Sequence, residues 1–69
     1  MIKVQELRNT DDNNNSFMIS AFADTKSEVD NGAEFVGLPA NATIEMGSTV
    51  MTASGELAFM KSDGTWNWT

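Results

Sequence analysis

Trp66 and Trp68, two residues apart, and the run Asp11-Asp12-Asn13-Asn14-Asn15 are the side chains whose types and spacing could do chemistry. Asp11, Asn13 and Asn15 match the opening of a calcium loop. The match then fails, with Ser16 where the tight turn needs glycine and Phe22 where a bidentate glutamate would close the site. Asp11-Asp12 is the only adjacent acidic pair. General acid–base work needs carboxylates set in a cleft that drives their pKa values apart, and an amide-rich run reads as a solvated loop. The chain has no cysteine and no histidine, which removes thiolate metal sites, disulfides and the commonest general base. A nucleophilic Ser or Thr would have to rely on a lysine or carboxylate, and no spacing picks one out. The five glycines are spread as turn residues and form no phosphate cradle. The expectation is a protein with no catalytic residue, no metal site and no cofactor.

The two tryptophans admit two readings, a stacking platform for a sugar ring or part of a core. Phe59 falls between them across a predicted hairpin, and the apolar stretch Phe17–Ala23 needs a cover, so the core is preferred. Lys61, opposite Trp66 in the same pairing, is expected to lay its stem over the indole.

Ten acids against four bases leave a net charge of −6. Lys3, Arg8, Lys26 and Lys61 are scattered along the chain, which speaks against a nucleic-acid partner. No apolar run approaches the ~20 residues of a membrane span, and the start MIKVQELRN carries no signal-peptide core. A chain of 69 residues buries roughly 60% of its unfolded surface and is marginal alone. With disulfides excluded, oligomerisation or docking on a larger surface is the remaining source of stability.

The elements that must position these residues are strands. Ile2–Leu7 reads as a short first strand, 9–16 as an Asn-rich loop, and Phe17–Ala23 as a second strand apolar on both faces, with Met18 and Phe22 on one of them. Residues 24–47 are irregular: one helical turn at Ser27–Asp30 at most, a turn at Asn31-Gly32, short extended pieces at Glu34–Val36 and Thr43–Met46, and a break at Pro39. Residues 48–69 form a three-stranded meander, turned at Ser54-Gly55 and Asp63-Gly64. With both turns as two-residue loops, Val50, Leu57, Phe59, Trp66 and Trp68 share a core face. Met51, Ala58 and Met60 fall on the reverse face, which with Met18 and Phe22 is the candidate interface. The expected fold is one all-β domain over residues 1–69, a small antiparallel sandwich or partly open barrel of five to six short strands.

The segment GSTVMTASGELAFMKSDGTWNW resembles the C-terminal module of small structural proteins of tailed bacteriophages, through Gly47-Ser48, Ser54-Gly55-Glu56, Phe59, Asp63-Gly64 and Trp66. The upstream FMISAFADTK is similar to their preceding strand and Asp-x-Lys turn. The chain departs from the pattern in lacking a tyrosine in the penultimate strand and in its Asn-rich first loop. The resemblance implies a non-enzymatic virion component, a capsid decoration, head-fibre-type or neck or tail accessory subunit. Its implied partners are the major capsid protein or other virion proteins and further copies of itself, with a trimer favoured. The competing expectation is an acidic soluble binding module, either an inhibitor of a host protein or a carbohydrate binder using Trp66 and Trp68.

Overall fold

The computed structural model describes residues 1–11 and 15–69. The calcium-like spacing therefore lies partly outside the described residues. Within them, the Asp11 carboxylate accepts the backbone N–H groups of Asn15 and Ser16 at 3.1 and 3.3 Å, closing the loop back on itself as an Asx side chain does.

Among the described residues seven strands form one sheet: β1 (Ile2–Asn9), β2 (Ser16–Ala23), β3 (Phe35–Val36), β4 (Thr43–Ile44), β5 (Thr49–Thr52), β6 (Leu57–Met60) and β7 (Trp66–Trp68). Their order is β3-β1-β2-β5-β6-β7, with β4 also pairing β2. The all-β expectation holds. The sheet is mixed rather than antiparallel, because β1/β3, β2/β4 and β2/β5 run parallel while β1/β2 and the meander are antiparallel. The parallel pairs arise because residues 24–47 carry the chain back across the sheet before β5 joins β2. A return of that length permits parallel pairing, which a tight hairpin forbids.

The return segment holds one short helix, α1 (Lys26–Asp30). Thr25 and Glu28 form a reciprocal capping box at its start. At its end the Ala33 and Gly32 N–H groups reach back to the Glu28 and Val29 carbonyls at 3.0 and 3.2 Å, the two bonds of a Schellman motif. Local signals of this quality stabilise a single turn and deliver Val29 into the core. The Met1 amine bonds the carboxylates of Asp24 and Glu28. Glu28 is thereby held below its usual carboxylate range, first by the amine and further by the Thr25 N–H.

One face of the sheet is buried. Ile2, Phe17, Ile19, Ala21, Ala23, Val29 and Val50 form its cluster, with Val4, Ala33, Phe35, Leu38, Ala42, Ile44, Trp66 and Trp68 packed against them. Pairing places Val4, Ala21, Val50, Ala58 and Trp68 in one row across five strands. The alanines in that row leave room for the covering segment. The sheet curls until its ends approach: Phe35 on β3 stacks with Trp66 on β7, centroids 6.0 Å apart. Trp68 Nε1 donates to Asp30 Oδ1 at 2.9 Å and Lys26 Nζ sits 5.3 Å from the Trp68 ring. Side chains thus close the seam of a partly open barrel. It is Lys26, not Lys61, that lies over an indole.

β4 and β5 lie on the same side of β2, and the register advances by two residues between them. Met46 loops out, exposed, and the buried Ser48 side chain fills the missing rung, accepting the Ile19 N–H on Oγ at 2.9 Å. No buried side-chain polar atom lacks a partner among the described residues.

Candidate functional site on the open face of the sheet

Both hairpins of the meander have three-residue loops. Thr52 N–H bonds the Glu56 carbonyl at 2.9 Å across Ala53-Ser54-Gly55, and Lys61 N–H bonds the Thr65 carbonyl at 2.9 Å across Ser62-Asp63-Gly64. Each loop ends on a glycine at positive φ, +88° at Gly55 and +86° at Gly64, while Ser54 and Asp63 keep negative φ. This is the type I turn followed by a left-handed residue, not the two-residue loop in which both central residues are left-handed. Asp63 reinforces its turn: Oδ1 accepts the Thr65 hydroxyl at 2.6 Å and the Thr65 N–H at 3.0 Å. These bonds, hydroxyl first, hold its carboxyl below the ordinary range, with Lys61 adding to them.

The extra loop residue moves each pairing by one, so Thr49, Val50 and Met51 oppose Phe59, Ala58 and Leu57, and Met60 opposes Trp66. A one-residue shift exchanges the faces of a strand. Of the five residues expected on the core face, Val50 is fully buried and Trp66 and Trp68 are half-buried against the core. Leu57 and Phe59 are on the reverse face. Of the candidate interface residues, Met51, Met18 and Phe22 do lie on the outer face, but Ala58 and Met60 are buried at 0% and 6% exposure. Two shifts of equal size kept the tryptophans inward while exchanging the residues of β6.

The outer face carries Phe22, Met51 and Leu57 in one row, Ser20, Thr49, Phe59 and Asn67 in the next, and Met18 beyond them. Met51 is 51%, Met18 39% and Phe59 37% exposed. No element of the described chain packs over this side, since α1 and the return segment cover the other. A half-open concavity of about 430 Å³ indents it where β1 meets β2, walled by Arg8, Glu6 and Met18 and floored by Ser20 and Thr49. A bulge between Val4 and Glu6 shifts the β1 register at this rim, and bulges re-aim neighbouring side chains.

Lys3 pairs with Phe22 and Arg8 with Met18, and Lys61 follows inward-facing Met60 on β6. Three of the chain's four bases thus border the apolar outer face. Sequence reasoning missed this grouping, because bases distant in sequence meet only when the sheet order is known. The glycine at the third loop position was the available signal for Leu57 and Phe59. The tryptophans, engaged with Phe35, Asp30 and Lys26, are not presented as a flat stacking platform.

Comparison of the chain with protein-family models, with curated proteins and with solved structures finds no match. Among the described residues no helix is long and apolar enough to cross a membrane.

Proposed function

We propose that this protein is a non-enzymatic structural subunit of a bacteriophage particle, one that docks through the open face of its sheet as a capsid decoration or head-fibre-type component. The observation that carries the reading is the uncovered apolar face bearing Met18, Phe22, Met51, Leu57 and Phe59. Exposed contiguous apolar surface rimmed by polar groups marks interaction sites, and methionine suits contacts that must adapt. The pattern Gly47-Ser48, Ser54-Gly55-Glu56, Asp63-Gly64 and Trp66 supplies the virion class by resemblance.

The test is mass spectrometry of purified particles from the source phage or induced prophage, with copy number counted against the major capsid protein. Tens to hundreds of copies are expected. Absence from particles, with abundance in infected cells, overturns the virion reading and leaves an acidic binding module acting on a soluble host protein. The carbohydrate-binding version of that module is disfavoured by the inward setting of Trp66 and Trp68.

A further inference from the structure

One edge of β7 has no strand beside it. Lys61 N–H bonds the Thr65 carbonyl and Thr69 N–H bonds the Leu57 carbonyl, so Thr65, Asn67 and Thr69 turn their main-chain groups toward β6. Main-chain groups alternate in direction along a strand, which turns the N–H and C=O of Trp66 and Trp68 the other way. Among the described residues no strand bonds β7 on that side. Phe35, Asp30 and Lys26 meet the two indole rings, not the main chain between Thr65 and Thr69.

Natural sheets defend such edges with charges, prolines or bulges. On the opposite flank, the stretch of β1 beyond β3 has these devices: the bulge between Val4 and Glu6, and the charges of Glu6 and Arg8. The stretch Thr65-Trp66-Asn67-Trp68-Thr69 has none of them. The charges that touch it or its loop cancel: Lys61 with Asp63 at 3.8 Å, and Lys26 over Trp68 with Asp30 on the same indole. In a chain of net charge −6, this is an edge that two copies can share without opposing like charges.

We propose that β7 is a homodimer edge, pairing antiparallel with β7 of a second copy about a two-fold axis at Asn67. The phase of the free groups fits that symmetry. About the axis Trp66 opposes the second copy's Trp68 and Trp68 its Trp66, each pair exchanging both main-chain bonds. Asn67 meets its own copy with side chains about 5 Å apart, and indole meets indole on the core side. The open faces of the two copies then join beside Asn67 and Phe59. The added strand pairing stabilises a chain of 69 residues beyond what so small a core provides. A pairing this short buries less than the ~1,200 Å² of a standard interface, so a dissociation constant of about 1–100 μM is expected.

Sedimentation of the full chain over a concentration series is expected to show monomer passing to dimer. Asn67 is exposed, and Asn67→Asp, which sets two carboxylates against each other on the axis, should weaken the dimer at least tenfold. The chain has no cysteine, so introduced thiols report the geometry. Opposed residues of a non-hydrogen-bonded pair lie within disulfide reach. Asn67→Cys should therefore oxidise to a covalent dimer, and exposed Thr10→Cys, just past the end of β1, should not. Thr65→Cys and Thr69→Cys should crosslink when mixed and not when each is alone. Monomer at every concentration, a trimer, equal crosslinking of Asn67→Cys and Thr10→Cys, or Thr65→Cys coupling to itself would each overturn the proposal. The virion reading is tested separately by the particle mass spectrometry. A dimer absent from particles keeps this edge, and a monomer abundant in them keeps the structural role.

Discussion

Phe35 and Trp66 occupy opposite ends of the strand order, and their rings stack with planes 15° apart. A flat sheet would hold them five strands apart. Their contact therefore measures how far the sheet has curled, and it joins β3 to β7 through side chains. Stacked aromatic pairs contribute about 0.5–1.5 kcal/mol beyond the area they bury. A double-mutant cycle of Phe35→Leu and Trp66→Leu, followed by urea unfolding, is expected to return a coupling in that range. A coupling near zero would mean the seam is open in solution.

Ser48 is a second place where one atom holds distant strands. Its hydroxyl accepts the buried Ile19 N–H where the β2 ladder is broken. Ser48→Ala leaves that donor unpaired, at a cost of about 1–3 kcal/mol. Chemical denaturation gives the loss, and hydrogen exchange should show the Ile19 amide losing protection ahead of its neighbours.

Gly64 tests the loop assignment. It has φ +86° and nothing within 4 Å of where a side chain would begin, so substitution there meets backbone cost without a clash. Gly64→Ala is expected to lose about 1–2 kcal/mol, the cost of left-handed geometry for an ordinary residue, and Gly64→Asn distinctly less. Equal losses for Ala and Asn would contradict the turn type.

The register itself is checked by two methionines. Met60→Ala, on the buried side, should cost about 2–5 kcal/mol, whereas Met51→Ala, on the open side, should stay within about 0.5 kcal/mol. The pairing expected from two-residue loops puts both methionines on one face and predicts similar losses. Thermal or urea unfolding of the two variants separates the alternatives.

Asp63 and Glu28 make the fold sensitive to acid. Asp63 is held low by the Thr65 hydroxyl and N–H, and Glu28 by the Met1 amine and the Thr25 N–H. A carboxyl whose folded pKa is depressed adds stability that is fully present above its unfolded value and is lost as pH falls through the folded one. Stability should therefore hold from neutrality to about pH 5 and decline below about pH 4, beneath the ordinary carboxylate range. In Asp63→Asn the decline should be shallower, as read by urea midpoints across the acid range.

These cases show where the fold was legible. Strand positions follow from local composition: the stretches expected at 2–7 and 17–23 are β1 and β2, extended by two residues and one residue respectively. The turn at Asn31-Gly32 is also local, and ends α1. Pairing depends on more than local preference. Ser54-Gly55 and Asp63-Gly64 fit a two-residue or a three-residue loop, and one backbone angle at Ser54 and Asp63 decides which face Phe59 takes. Parallel pairing of β2 with β5 had no local signature, since β5 adds to β2 only once residues 24–47 have crossed the sheet. The open face was half legible for the same reason. Met51 and Met18 were placed outward, while the bases beside them came together through long-range topology.

That parallel ladder has a consequence for how the chain reaches its structure. Ile19 and Ser48 stand 29 residues apart in sequence, whereas the two meander hairpins close over three-residue loops. Closing the longer loop carries the larger entropic cost before any contact repays it. The β5–β6–β7 unit is therefore expected to form early and to wait, with the β5 edge unpaired and Met51 and Phe59 already displayed. Until β2 arrives, that edge offers backbone hydrogen bonds to any neighbouring chain. The slow step of folding and the point of greatest exposure to aggregation thus coincide at the centre of the sheet, not at its ends.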